Sequence, residues 1–300
     1  MPLSPDPKRE HPSTYFVEDR ENQDEMTRLQ IQDRMYTAGM GGVLPEQADP
    51  TAFKRVLDVG CGTGDWLIEL ARTTPTCILL IGVDVSLKFV EYARAQAVAA
   101  QVSDRVEFHV MDALRMLEFP RNFFDLVNHR LASSWLRTWD WRKLLQEYQR
   151  VCRPGGIVRV TEYEGMVVSN SPALTRLAAL SAKALHQAGH FFTPTNEGTA
   201  GELTRLLQQH GLQQVQTRAY PLEYRPGTNS WQSFYENNRL FCRTILPFLQ
   251  KWAHVPADYE EIYQQMLDEM QRPDFVATWC LLTAWGKVPP KRGERADSPS

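Results

Sequence analysis

Residues 55–66 constrain this chain more than any other stretch. Arg55-Val56-Leu57-Asp58-Val59 is an apolar, β-branched run too short for a helix, and Gly60-Cys61-Gly62-Thr63-Gly64 comes directly after it. A run of that kind, bounded by glycines, reads as a buried strand. Trp66-Leu67-Ile68-Glu69-Leu70-Ala71 then opens a helix. Strand, glycine turn and helix together bring backbone close to a polar or anionic ligand. Missing Cβ atoms make room, and N–H groups at the helix start face the ligand. A plain Gly-rich turn between strand and helix would have the same composition, so the meaning of this one rests on the ends of the next two strands.

Ile78 to Val83 is a second apolar run and ends in Asp84, 20 residues after Gly64. An acid at the tip of the second strand can hold a ribose diol by two charge-assisted hydrogen bonds. Val106 to Met111 is a third run, ending in Asp112-Ala113, where a carboxylate and an adjacent N–H can read the edge of an adenine. Phe124-Asp125-Leu126-Val127 and Arg153-Pro154-Gly155-Gly156 complete the set. With these five blocks in order over residues 53–165, the chain resembles the class I S-adenosylmethionine-dependent methyltransferases.

The resemblance implies an α/β fold: a doubly wound, seven-stranded, Rossmann-like sheet carrying helical lid and cap insertions, its last strand antiparallel. It implies S-adenosyl-L-methionine as cofactor and methyl transfer as the reaction. The cofactor residues expected from it are Asp58, which would orient the glycine loop, then Gly60, Cys61, Gly62, Gly64, Asp84, Val85, Asp112, Ala113, Asn128 and His129. A dinucleotide-binding dehydrogenase is the competing reading. Its fingerprint wants glycine or alanine at the last position of GxGxxG, which counted from Gly60 is Asp65. Asp84 would suit either cofactor; Asp112-Ala113 and the Pro-Gly-Gly turn favour the methyltransferase.

Composition narrows the partners. The net charge of −3 lacks the basic bias of a nucleic-acid binder, and no 18-residue apolar run exists for a membrane span. Met1-Pro2-Leu3-Ser4-Pro5-Asp6 does not read as a signal peptide, and five cysteines without close pairs or metal-ligand spacing read as core residues. The expectation is a cytoplasmic protein with no metal, acting on a small-molecule acceptor, with homo-oligomerisation left open.

Along the chain, residues 1–13 read as a disordered tail and 14–50 as a helical lid, with helical composition from Tyr15 to Ala38. The methyltransferase domain would occupy 51–286, and residues 287–300 would form a second disordered tail. Thr63 and Ser86 read as N-caps of the first two crossover helices. Two helical insertions are expected, at about 166–196 and 227–273, the second bent at Pro247. Their apolar stripes must bury against the lid, another subunit or an apolar acceptor.

Methyl transfer from a sulfonium is an in-line displacement that needs alignment and exclusion of water more than acid–base groups. His129 is the possible base, should the acceptor have to lose a proton, with backbone lining of the cofactor as the alternative. Tyr15 is a possible lid contact. Arg130, Trp135, Tyr163, His190, Trp231 and Tyr235 are the acceptor-side residues. The aromatic insertions point to a small, largely apolar acceptor of aromatic or secondary-metabolite type. Methylation of protein or RNA, and cofactor binding without turnover by a regulatory protein, are the alternatives.

Overall fold

The computed structural model describes residues 14–17, 22–193 and 199–290; both expected disordered tails, apart from residues 287–290, lie outside them. Strands β1 (Arg55–Val59), β2 (Leu79–Asp84), β3 (Val106–Val110), β4 (Phe124–Arg130) and β5 (Cys152–Tyr163) run parallel. Alternating with them are helices α2 (Asp65–Thr73), α3 (Leu87–Ala99) and α4 (Trp141–Val151). Helix α6 (Ala200–Gln209) leads to β7 (Gln213–Tyr224), and β8 (Ala277–Lys287) inserts antiparallel between β5 and β7. The order is therefore β3-β2-β1-β4-β5-β8-β7. A two-residue strand β6 (Val168–Ser169) pairs the start of β8 beyond the end of β5, an eighth strand added to the seven expected.

Each central strand is buried on both faces, which is why its sequence is a near-continuous apolar run and not an alternation. Val56, Leu57 and Val59 are wholly buried, each contributing about 1.5–3 kcal/mol relative to exposure. Val56, Leu126 and Ile157 pack with α2 and α3 on one face; Leu57, Val127 and Val158 pack with α4 and α6 on the other. Ser86 caps α3 as expected, accepting from Phe89 N–H at 3.3 Å, and Phe89, Val90, Ala93 and Ala97 are its buried stripe. Thr63 does not cap α2. Gly64 holds that position at φ 79, and Thr63 donates to Asp65 instead, at 2.8 Å.

The N-terminal helix α1 (Gln23–Met40) is shorter than the helical composition predicted. Asn22 starts it by accepting from the N–H groups of Asp24 and Glu25, so Tyr15 to Val17 precede the helix as irregular chain with a bend at Phe16. Helix α5 (Pro172–Gln187) fills the first insertion. The second breaks at Ile245 into α7 (Asn229–Thr244) and α8 (Leu246–Trp252), two residues before Pro247, and α9 (Tyr259–Met270) comes next. All these helices, with Phe16 and Val17, share one apolar core separate from the two beneath the sheet faces. The insertions thus bury against one another and the lid, forming a single cap. The last strand also runs past its expected end. Lys287 pairs with Ile157, and Val288 N–H donates to Gly156 O at 2.9 Å, so the first two residues of the expected tail extend the sheet. Among the described residues no helix is long and apolar enough to cross a membrane.

Candidate active site

A cavity of about 210 Å³ opens between the carboxyl ends of the parallel strands and the cap. Open α/β sheets bind ligands at this position because the loops leaving β1 and β4 diverge there. Of the expected residues, Asp58, Gly60, Cys61, Gly62, Asp84, Val85, Asp112, Ala113, Tyr15, Arg130, Trp135 and Tyr163 line it. Gly64, Asn128, His129, His190, Trp231 and Tyr235 do not.

The glycine loop is held differently from the expectation. Gly60 and Cys61 N–H both donate to Val83 O (2.8 and 3.0 Å), and Gly62 N–H donates to Asp84 Oδ2 (3.0 Å). These N–H groups are engaged within the protein, and the acid that orients the loop is Asp84, not Asp58. Asp84 also accepts from Ser86 N–H at 2.9 Å. Gly60, Gly62 and Gly64 all have positive φ. Only Gly62 has open space where a Cβ would stand. A Cβ on Gly60 would meet the Trp135 indole at 3.1 Å, and one on Gly64 would meet Phe108 at 2.6 Å. Two of the three glycines therefore make room for protein side chains, and the third faces open space. Asp112 accepts from Leu114 N–H at 2.9 Å and leans on Arg115 at 3.5 Å, while Ala113 beside it is buried.

Asp58 lies deeper, 4% exposed, with Asn128 Nδ2 donating to its Oδ1 at 2.7 Å. Burial pushes its carboxyl up to about 7, against the pull of Arg130 and the Asn128 hydrogen bond. Burial also raises the Cys61 thiol, and the nearby carboxylates of Asp84 and Asp58 add to the rise.

His129 is not placed to act as a base. Its ring is wholly buried between the planes of Trp135 and Trp141 (centroids 5.7 and 5.5 Å), and Nδ1 bonds the Tyr148 hydroxyl at 2.8 Å. Nε2 faces Glu162 at 3.5 Å, and Glu162 in turn accepts from Ser133 N–H and Oγ. The imidazole is a packing element under the turn that carries Ser133 to the cavity. Arg130 is likewise engaged: it pairs with Asp33 of α1, bonds Thr37 at 3.3 Å and covers the Trp66 ring, tying lid to sheet.

On the acceptor side Tyr163 stacks on Trp279 at 4.7 Å, with Tyr36 edge-on to both. Tyr15, Phe16, Phe241, Phe191, Met166 and Leu185 extend this apolar wall. Trp231 and Tyr235 point elsewhere: Trp231 donates to Met270 O and Tyr235 accepts from Gln271. Tyr235 lies about 160° around α7 from Asn237, which with Phe241 is the face turned to the cavity. His190 is buried behind the wall, edge-on to Phe248.

Sequence reasoning missed a buried ionic cluster in that wall. Arg28 Nε and Nη2 clamp Glu25 (2.8 and 2.6 Å), Nη2 also reaches Tyr15 Oη at 3.3 Å, and Nη1 reaches Asn237 Oδ1 at 3.4 Å and Gln32. Tyr15 and Thr244 donate to Glu25. Arg28 and Glu25 are 2% and 1% exposed, and the guanidinium also lies over Phe16 and Phe241. On the sequence these residues sit among other charges of a helix with no clear apolar face, so nothing marked them as internal.

Residues 56–156 match the family described as "Methyltransferase domain". The chain is 32% identical over 145 residues to 27-O-demethylrifamycin SV methyltransferase of Amycolatopsis mediterranei, covering 47% of this chain and 48% of that one. It is 31% identical over 152 residues to the secondary metabolism regulator laeA of Coprinopsis cinerea, covering 49% and 33%. The chain spans half or less of the length of these relatives. The YcgJ protein of Bacillus subtilis has a similar fold, with a TM-score of 0.53 at 20% identity over 89% of this chain and 99% of that one.

Proposed function

We propose, from the premise that residues 56–156 are a class I S-adenosylmethionine-dependent methyltransferase domain, that the whole chain transfers the methyl group to a small, largely apolar, aromatic or secondary-metabolite-like acceptor. The observation that carries this reading is the closed aromatic wall around Tyr163 and Trp279, fused to the cofactor end in one cavity. Such a wall suits a flat apolar molecule.

The cofactor end is read from three acids and the loop between them. Asp84 would hold the ribose, since it ends β2 at the cavity and faces the glycine loop through Gly62. Asp112 and Ala113 would take the adenine, and Gly62 would let the ligand lie against the backbone. The methionine end would then fall near Asp58 and Cys61. When bound, the cofactor supplies a sulfonium methyl with a thioether leaving group. The protein's part is to align the acceptor and exclude water, which α1, α5 and α7 do by closing over the strand ends. With His129 packed away, no imidazole among the described residues lines the cavity, and an acceptor of low acidity would depend on Asp58 or a neighbouring tyrosine for proton transfer.

Incubation with methyl-labelled S-adenosylmethionine and a lysate of the host, then separation by size, tests the reading. Label in a low-mass, organic-extractable fraction is expected. Label in protein or RNA contradicts it, and absence of label despite cofactor binding favours a cofactor-binding regulator, the role that the laeA relative's name carries.

A further inference from the structure

Three residues stand in one row across the sheet. Asp58 of β1 is the register partner of Asn128 on β4, and Asn128 is the partner of Arg159 on β5. Partners in adjacent strands put their side chains on the same face. Here they touch in sequence: Asn128 Nδ2 to Asp58 Oδ1 at 2.7 Å, then Arg159 Nη1 to Asn128 Oδ1 at 2.8 Å. Arg159 ends the row on Glu46, in the loop after α1, by Nε to Oε1 at 2.7 Å and Nη2 to Oε2 at 3.3 Å. The Tyr220 hydroxyl donates to Glu46 at 3.2 Å. Arg159 and the Glu46 side chain are both fully buried.

An arginine at the centre of a parallel sheet is costly unless its charge is matched, and this one is matched to a residue 113 positions away. Packing alone would be served by an aliphatic residue. The chemistry of the row explains the arginine. A guanidinium can only donate, so the Asn128 oxygen must face it and the Asn128 amide NH₂ must face Asp58. Asp58 Oδ1 is then bound to accept. The row therefore fixes the orientation of a carboxyl group that lines the cavity.

We propose that Arg159, with Glu46 as its counter-ion, is a positioning residue acting through Asn128: it holds the Asp58 carboxyl turned to a cationic group in the cavity, the α-ammonium of the cofactor's methionine end, and its charge favours the ionised form. The proposal rests on the cofactor reading above. It also links the loop after the lid helix to the cofactor, because Glu46 belongs to that loop. The other groups around Asp58 are Arg130 from β4, Asp33 from α1, Cys61 from the glycine loop and Tyr148 from α4. Asp58 stands near 7 in this setting, so cofactor affinity falls as the carboxyl takes up a proton.

Calorimetric titration from pH 5.5 to 8 with S-adenosylhomocysteine, and with 5′-methylthioadenosine, which lacks the amino-acid end, separates this role from a merely structural one. For the unsubstituted protein, affinity for the first probe is expected to drop about tenfold per pH unit below about 7, and affinity for the second to stay flat. Arg159→Met removes the cation and moves the onset of the drop up by about one pH unit, so that about fivefold is lost at pH 7 for the first probe alone. Glu46→Gln leaves the arginine charge unopposed and moves the onset down. Should Arg159→Met fail to fold, Glu46→Gln carries the test. One shared onset in all proteins, or equal losses for both probes, overturns the proposal while the cofactor reading stands. Binding of neither probe by the unsubstituted protein fails the cofactor reading and this proposal with it.

Discussion

Along the cofactor half of the cavity, the glycine loop, Asp84 and Asp112 stand at the carboxyl ends of β1, β2 and β3, three strands that are sequential in the chain and adjacent in the sheet. Along the acceptor half, Phe16, Arg28, Met166, Phe191, Asn237 and Trp279 come from six separate segments between residues 16 and 279. The first half is built by local rules: a strand end, a turn, a backbone donor. The second depends on the cap core closing correctly. A local site tolerates change elsewhere, whereas a site assembled from distant parts inherits every strain in their packing. The two halves should therefore fail in different ways.

The largest effect should come where the local half leaves no slack. Gly64→Val forces a β-branched residue into φ 79 and sets its Cβ on Phe108 and Ala93, with an expected loss of about 3–6 kcal/mol in urea unfolding. A loss under 1 kcal/mol would mean that the loop has room the structure denies. In the distributed half, Glu25→Ala strands the Arg28 guanidinium inside the cap and should cost about 3–5 kcal/mol. Its signature is selective: 5′-methylthioadenosine should still bind the folded protein normally, because the strand ends are untouched. Equal loss of both would erase the distinction between the halves.

His190 gives the cap its own response to acid. Burial, and then the Arg137 guanidinium, push its imidazole down to about 4, while an unfolded histidine titrates near 6.5. Between those values the unfolded chain holds a proton that the native one does not, so this contribution is complete above about pH 7. It is lost as pH falls towards 4, amounting to about 3 kcal/mol in all. Urea midpoints at pH 7 and 4.5 should differ less in His190→Leu than in the unsubstituted protein; an unchanged difference would remove His190 as a source of the acid response.

The same contrast decides what could be read in advance. The strand ends near Asp58, Asp84, Asp112 and Asn128 were legible because strands buried on both faces are written as apolar runs, closed by polar positions near their carboxyl ends. The α5 stripe and the Ser86 cap were legible for similar local reasons. His129 misled because its place near the end of β4 does not say where the ring points, and the ring turns inward to Trp135 and Trp141. Trp231 and Tyr235 misled because helical spacing gives a stripe but not its direction. Asn237, two residues on from Tyr235, is on the cavity face. Glu25 and Arg28 left no signal, since an ion pair that will be buried looks on the sequence like one that will be solvated.

The central claim is that the strand-end acids make the cofactor site. Calorimetry of S-adenosylhomocysteine binding to the unsubstituted protein and to Asp84→Ala tests it most directly. The account predicts binding that weakens by about 1–3 kcal/mol on loss of the Asp84 carboxylate, through both the missing ribose partner and the freed Gly62 N–H. Equal affinity in the two proteins would contradict the assignment of Asp84, and with it the account of the local half.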